Sequence, residues 1–441
     1  MAVDASSLPP ADEDWSTKPR TPLGRLVPAL MLSNIGLFIA LLTPLQLLLT
    51  LRLTAIANGA DATAAFGIVT GCGAIVAMIA SPIAGRISDR TTFRFGRRRT
   101  WILFGSITGA LLLLALSVTT EVWQVVVLWC LVQGLTNFQF AATGAVMPDQ
   151  VPPERRGGVS GLLGVTLAIG PLIGIALVNG FTPDSAAQWQ IIAVVSVALT
   201  IIAVFLIKEQ RHLQSSHPKQ LNLLSLAKSF WLNPRKHPAF GWAWIVRFLI
   251  TCGYAAGGYG AFYLLQRFGV STEELGHIML GLSSLSVVSL VLSSLLAGYL
   301  SDLVKRQKPF VIIAGVLSGG GLILAAFAPS IEWFIVSSVI SAVGTGVFFS
   351  IDLAMCARVL PNTEDTGKDL AIINIANSLP QSLVPLVAPL LLALGGFPAL
   401  YLSLAALGFL GSLAVIRVPE IGHEHDEGGR TAPITRTLPT R

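Results

Sequence analysis

The chain has 441 residues, of which 53% are hydrophobic and only 12% charged, and its mean hydropathy is +0.72. Soluble globular proteins carry roughly 25% charged residues, so this composition excludes an ordinary water-soluble enzyme and leaves an integral membrane protein. The formal net charge of +6 follows from how lysine and arginine divide between two membrane faces, and nucleic acid is not needed as a partner.

Residues 1–22 form a polar tail, and twelve apolar runs follow. They lie at 24–51, 62–84, 101–118, 122–147, 159–181, 188–207, 239–265, 275–299, 309–327, 332–356, 370–395 and 397–416. A helix of about 20 apolar residues crosses a hydrocarbon core of about 30 Å. The first run follows a polar lead and is far longer than a signal-peptide core, so it is expected to remain as helix 1. Twelve alternating spans with both termini inside place 26 Lys and Arg on one face and 2, Arg52 and Arg267, on the other, with Arg247 inside a span. Such a bias orients the basic face toward the cytoplasm. The expected fold is all-α: a polytopic membrane protein with 12 transmembrane helices in two pseudo-symmetric six-helix bundles, at 23–207 and 239–417. A cytoplasmic loop at 208–238 joins them, and 418–441 is a second cytoplasmic tail.

Smaller features add little chemistry. Cys72, Cys130, Cys252 and Cys356 all fall inside apolar runs, as buried thiols do, and no disulfide framework, metal set or cofactor is expected. His423 and His425 share a tail without the fixed geometry a metal requires. Leu221 to Trp231 has the pattern of a short helix lying at the cytoplasmic interface.

The second half of the chain echoes the first. Ser81-Pro-Ile-Ala-Gly-Arg-Ile-Ser-Asp89 returns as Ser294-Leu-Leu-Ala-Gly-Tyr-Leu-Ser-Asp302, 213 positions later, and each copy leads through a basic loop into an apolar run. A weaker echo relates Gly134–Gly158 to Gly344–Gly367. Internal symmetry of this kind is expected of two-halved transporters.

Between Gly85 and Trp101 the first basic loop holds six arginines and Asp89. Gly85-x-x-x-Asp89-Arg90 followed by Arg97-Arg98-Arg99 resembles the helix 2 to helix 3 signature of the major facilitator superfamily. The fuller stretch Ser88 to Trp101, with Pro148 to Gly157, Asn233 to Phe248 and Gly367 to Gln381, resembles more narrowly the glycoside-pentoside-hexuronide and sucrose/proton symporters. That resemblance implies a cytoplasmic gate of Gly85, Asp89, Arg90, Arg97 and Arg98, with Asp302 as the counterpart in the second half. From the residues themselves, Gly85 is expected to let helix 2 approach a neighbour closely. The arginines also suit orientation and anionic lipid.

The resemblance further implies that helices 1, 4, 7 and 10 line a central cavity. Their polar residues are Asn34 and Gln46, Asn137 and Gln139, Arg247, Tyr254, Tyr259 and Tyr263, and Asp352; helix 11 adds Asn374, Asn377 and Gln381. Amides and tyrosines suit a neutral polyhydroxylated ligand, although intramembrane amides also hydrogen-bond neighbouring helices. Arg247 and Asp352 are expected to pair, with Asp352 either a protonatable coupling site or one half of a structural salt bridge. The symporters that the chain resembles carry an acidic residue in helix 2 or helix 4, where this chain has none. Gly170-Pro171-x-x-Gly174 partly matches a motif of drug/proton antiporters, and helix packing by small residues accounts for it better. The reading is a monomeric plasma-membrane carrier of a small solute, a sugar or glycoside, coupled to a cation, proton before sodium. A proton-coupled exporter and a transporter-like receptor stand as alternatives, and no enzyme motif is present.

Overall fold

The computed structural model describes residues 21–57, 59–209, 238–304, 306–358 and 366–418. The interfacial helix at Leu221 to Trp231, most of the 208–238 loop and the histidine pair of the tail lie outside the described residues, as do the side chains of Asp302, Cys356 and Asn374. The described residues form helices and connecting turns, with no strand among them. In chain order the helices are α1 (Leu23–Ile56), α2 (Gly59–Arg90), α3 (Arg97–Leu116), α4 (Val122–Gln150), α5 (Pro153–Val178), α6 (Ala186–Leu206), α7 (Pro238–Arg267), α8 (Thr272–Val304), α9 (Lys308–Ala326) and α10 (Ile331–Arg358). A last continuous run starts at Thr366 and breaks at Gly395 and Gly396, giving α11 (366–394) and α12 (397–417). Gly396 has φ +65°, a left-handed backbone that glycine adopts without a Cβ penalty.

Among the described residues, eleven helices are long and apolar enough to cross a membrane, counting 375–417 as one. The chain is therefore an all-α polytopic membrane protein. The twelve-span expectation differs by the division at Gly395 and Gly396, where the sequence separates its last two runs.

Several helices outrun their apolar segments. α2 continues to Arg90 and α8 to Val304, because a helix satisfies its own backbone whether or not its side chains remain in lipid. α3 begins at Arg97, four residues before the apolar run. Three arginines at a helix N-terminus oppose the helix dipole. The Glu209 carboxylate offsets them by accepting the backbone N–H of Arg98 at 3.0 Å and of Arg99 at 3.1 Å.

Two compact units emerge. The first draws on Met1–Leu221, Gly257–Ser284 and Ser382–Pro389. Inside it α1 packs on α5 and α6, α2 on α4, and α3 on α4 and α6. Small residues let these backbones close. A Cβ at Gly36 would stand 2.7 Å from the Ser196 carbonyl oxygen, and one at Gly170 would stand 2.5 Å from Phe38 Cβ. Gly174 meets Thr43, so the Gly170–Gly174 face is a contact with α1. Helices in lipid associate through such packing and through hydrogen bonds, since lipid removes the hydrophobic drive between them.

The second unit draws on Asn222–Ala256, Leu285–Gln381 and Leu390–Arg441. Its described core gathers Val246 and Ile250 of α7, Ala297 of α8, Val311 and Ala314 of α9, Val347, Phe348 and Ile351 of α10, and Val415. Gly344 of α10 presses on α9, where its Cβ would stand 2.7 Å from the Ala314 carbonyl oxygen.

Candidate functional site

Within the second unit, Arg247 Nη1 of α7 lies 2.6 Å from Asp352 Oδ2 of α10 in an ion pair, with the two side chains 6% and 1% exposed. A charge at mid-bilayer costs at least about 2.5–3.5 kcal/mol on insertion scales, and only a close opposite charge makes two such residues tolerable here. Arg247, Thr251 and Tyr254 sit at i, i+4 and i+7, one face of the helix. Tyr254 lies against Phe349 and Phe348 of α10, with ring centroids at 5.4 and 6.2 Å, and within electrostatic reach of both charges. Thr251 is 1% exposed, and its hydroxyl has no hydrogen-bond partner among the described residues. The site combines a positive charge, an unused hydroxyl donor, a carboxylate and an aromatic wall.

At the basic end of the first unit, Arg98 is 5% exposed and reaches three acceptors. Its Nη2 meets Asp89 Oδ1 at 2.6 Å, Nε meets Asp149 Oδ2 at 3.0 Å, and Nη1 donates to Ser88 Oγ at 2.9 Å. Arg97 Nη2 binds the same Asp149 oxygen at 2.7 Å. Asp89, Arg97 and Arg98 are thus brought together. Arg90 is exposed beside them. Asp149 and Glu209 complete the cluster, although sequence reasoning assigned them no role. Asp149 lay in the quoted Pro148-Asp-Gln stretch, yet nothing in its spacing pairs it with a loop 50 residues away. One packing expectation is corrected. Nothing stands within 4 Å of a Cβ built at Gly85 among the described residues, so this glycine makes no close helix approach there.

Four other expected cavity residues have partners within the protein. Gln139 is buried and donates through Nε2 to the Ser33 carbonyl at 3.2 Å and to Thr200 Oγ1 at 3.0 Å, tying α4 to α1 and α6. Asn137 Nδ2 donates to the Gln133 carbonyl of its own helix at 2.7 Å. Tyr259 is fully buried and its hydroxyl donates to the Pro385 carbonyl at 3.2 Å, while Tyr263 is buried edge-on against Phe268. These four contacts share a cause: a polar group in lipid takes the nearest partner, and sequence periodicity does not say whether that partner is a ligand or a helix. Asn34, Gln46 and Asn377 are half-buried, and Gln381 is exposed.

Sequence reasoning also missed a set of contacts at the opposite end of the first unit. Phe66 of α2 lies between Tyr259 and Phe262 of α7, both with centroids at 5.3 Å. Gln266 Nε2 donates to the Gly59 carbonyl at 2.9 Å and to Thr63 Oγ1 at 2.7 Å. Gly67 and Gly71 press on α11, with a Gly67 Cβ 2.5 Å from the Pro385 carbonyl oxygen and 2.6 Å from Pro389 Cγ, and Gly71 against Leu386. Gly67→Leu overpacks this contact, at a cost of about 1–3 kcal/mol. A membrane-impermeant maleimide should then label Thr63→Cys, buried in the parent, about fivefold faster; an unchanged labelling rate would show that this contact does not shield Thr63.

Near it, Arg52 Nη1 binds Asp184 Oδ2 at 2.9 Å. Burial pushes the Asp184 carboxyl up, and Arg52 draws it back.

Helix geometry marks one further correspondence. α1 contains a π turn at Pro44–Leu48 and α7 a 3-10 segment at Ala255–Tyr259. Adding the 213-residue repeat offset to 44–48 gives 257–261, which overlaps the second break. Discontinuous helices at matching repeat positions are a mark of transporter binding sites, and the α7 break contains the boundary between the two units.

Repeat-related helix breaks, a buried ion pair on two membrane helices and a charged cluster at the helix ends together mark this helical membrane protein. The chain belongs to the Major Facilitator Superfamily, whose profile matches residues 26–293 and 273–438. It is 23% identical over 270 residues to the class H tetracycline resistance protein of Pasteurella multocida, covering 59% of this chain and 63% of that one. It is also 29% identical over 160 residues to the staphyloferrin B transporter of Staphylococcus aureus, covering 35% and 36%. With the cis,cis-muconate transport protein of Acinetobacter baylyi it shares 23% identity over 250 residues, covering 55% and 57%. The matches span less than two thirds of these relatives' lengths. Among solved structures, the nucleoside transporter NupG superposes with a TM-score of 0.68 at 14% identity, covering 88% of this chain and 99% of that one. The D-xylose-proton symporter does so with 0.64 at 17%, covering 89% and 97%. These likenesses describe the fold.

Proposed function

We propose that this protein is a secondary active transporter of the plasma membrane that moves a small polar solute by alternating access, with Asp352 carrying the coupling proton. The observation that carries the reading is the Arg247–Asp352 pair, 2.6 Å apart and almost wholly enclosed. A lone acid so placed could lose its charge only by taking a proton, and Arg247 keeps it ionised until something else claims the guanidinium. Two six-helix bundles at 23–207 and 239–417 with cytoplasmic termini are the moving bodies in this reading. Asp89, Arg90, Arg97 and Arg98, with Asp302 as their counterpart in the second half, serve as the inner gate, and the α2 contacts with α7 and α11 as the outer one.

The sugar reading rests on the resemblance to glycoside symporters and on Asn34, Gln46, Asn377 and Gln381. Export is the second reading, supported by the tetracycline resistance proteins among the relatives. Purified protein in liposomes, given solute panels under imposed proton and sodium gradients in either direction, separates these outcomes. Proton-driven movement in the parent and its loss of pH dependence in Asp352→Asn are expected. A pH-independent parent would sink the proton role.

A further inference from the structure

We infer that the solute is a small organic anion whose carboxylate docks on Arg247 and Thr251 in exchange for Asp352. This rests on the carrier reading above and names the substrate class for the same site. The donors on the α7 face are a guanidinium and a hydroxyl. Arg247 offers a planar fork matched to a carboxylate, and Thr251, one turn along the same face, is 1% exposed with its oxygen unpartnered among the described residues. A neutral polyol does not require a buried cation, and burying one for it is costly. A carboxylate does, since it brings the countercharge itself. Tyr254, Phe348 and Phe349 give the remainder of the solute an apolar, ring-lined contact.

The exchange balances in charge. When the incoming carboxylate takes Arg247, Asp352 is left enclosed without its cation and binds one proton from water. Arg247 and Tyr254 are among the groups that act on it. The site then holds one ion pair and one neutral acid, so one carboxylate and one proton travel together. On release, Asp352 gives up the proton and reclaims Arg247. The same pair thus supplies both recognition and coupling, which accounts for a chain with no acidic residue in the apolar runs 62–84 and 122–147 of helices 2 and 4, where the symporters it resembles carry one.

The test titrates the full-length protein with succinate and phthalate, their diamides, glucose and xylose, following thermal unfolding. The acids should stabilise the parent and their amides should not. Asp352→Asn removes the internal competitor and should bind the acids roughly tenfold more tightly, in keeping with the loss of one charge-assisted contact. The Arg247→Gln/Asp352→Asn double variant, which leaves no unpaired charge, should fold and lose the response. Amides or sugars as effective as the acids, no response to either acid, or an undiminished acid response in the double variant would overturn the anionic class. Liposomes loaded with a pH dye keep the two claims apart. Sugar-driven proton entry without acid-driven entry would overturn the anion and keep the carrier, whereas acid binding with the expected variant pattern but no proton movement would keep the anion and overturn the carrier.

Discussion

Arg247→Ala will destabilise the purified protein by about 3–5 kcal/mol, while Arg247→Ala combined with Asp352→Ala will recover most of that loss. The reason lies in the asymmetry of buried charge. Removing one partner leaves Asp352, 1% exposed, buried without Arg247; removing both leaves a cavity and no orphan charge. Thermal unfolding of the four members of the mutant cycle measures the coupling directly. Additive losses would mean that the two charges do not depend on one another in the folded state. Transport separates stability from function: the double variant, though folded, should carry no proton-coupled flux.

Arg98→Ala ranks second, with an expected loss of about 2–3 kcal/mol. Charge-assisted hydrogen bonds are worth about 1.5–3 kcal/mol each, but Asp89 is 57% exposed, and solvent screening reduces its share. The larger part comes from Asp149 and Ser88. Arg98→Lys should recover only part of the loss, because a single ammonium cannot reach three acceptors in different directions. Asp89→Asn, by contrast, should leave the amount of protein in the membrane unchanged and lower transport. Equal uptake in Asp89→Asn and parent would remove Asp89 from the gate.

How far the sequence reached differs from residue to residue. The loop from Gly85 to Trp101 announced its location through charge alone, because arginine is excluded from lipid wherever the chain folds. Its wiring was hidden: Asp149 and Glu209 come from two other helix ends, and no local pattern links them. Gln139 and Tyr259 looked like ligand contacts by helix number, yet each already has a partner in a neighbouring helix. Thr251 drew no notice, since an isolated threonine on an apolar helix usually satisfies itself.

The sequence by itself determined a polytopic helical membrane protein, its basic face and its internal repeat. These depend on hydropathy, charge and spacing, which act locally and add along the chain. Only the tertiary structure decided which polar groups are spent on holding helices together and which remain available. Arg247 and Asp352 meet at 2.6 Å across 105 residues of chain, while Thr251 finds no partner beside them among the described residues. Inside a bilayer that distinction is set by which helix faces which, because without water every polar group must find its partner in the fold.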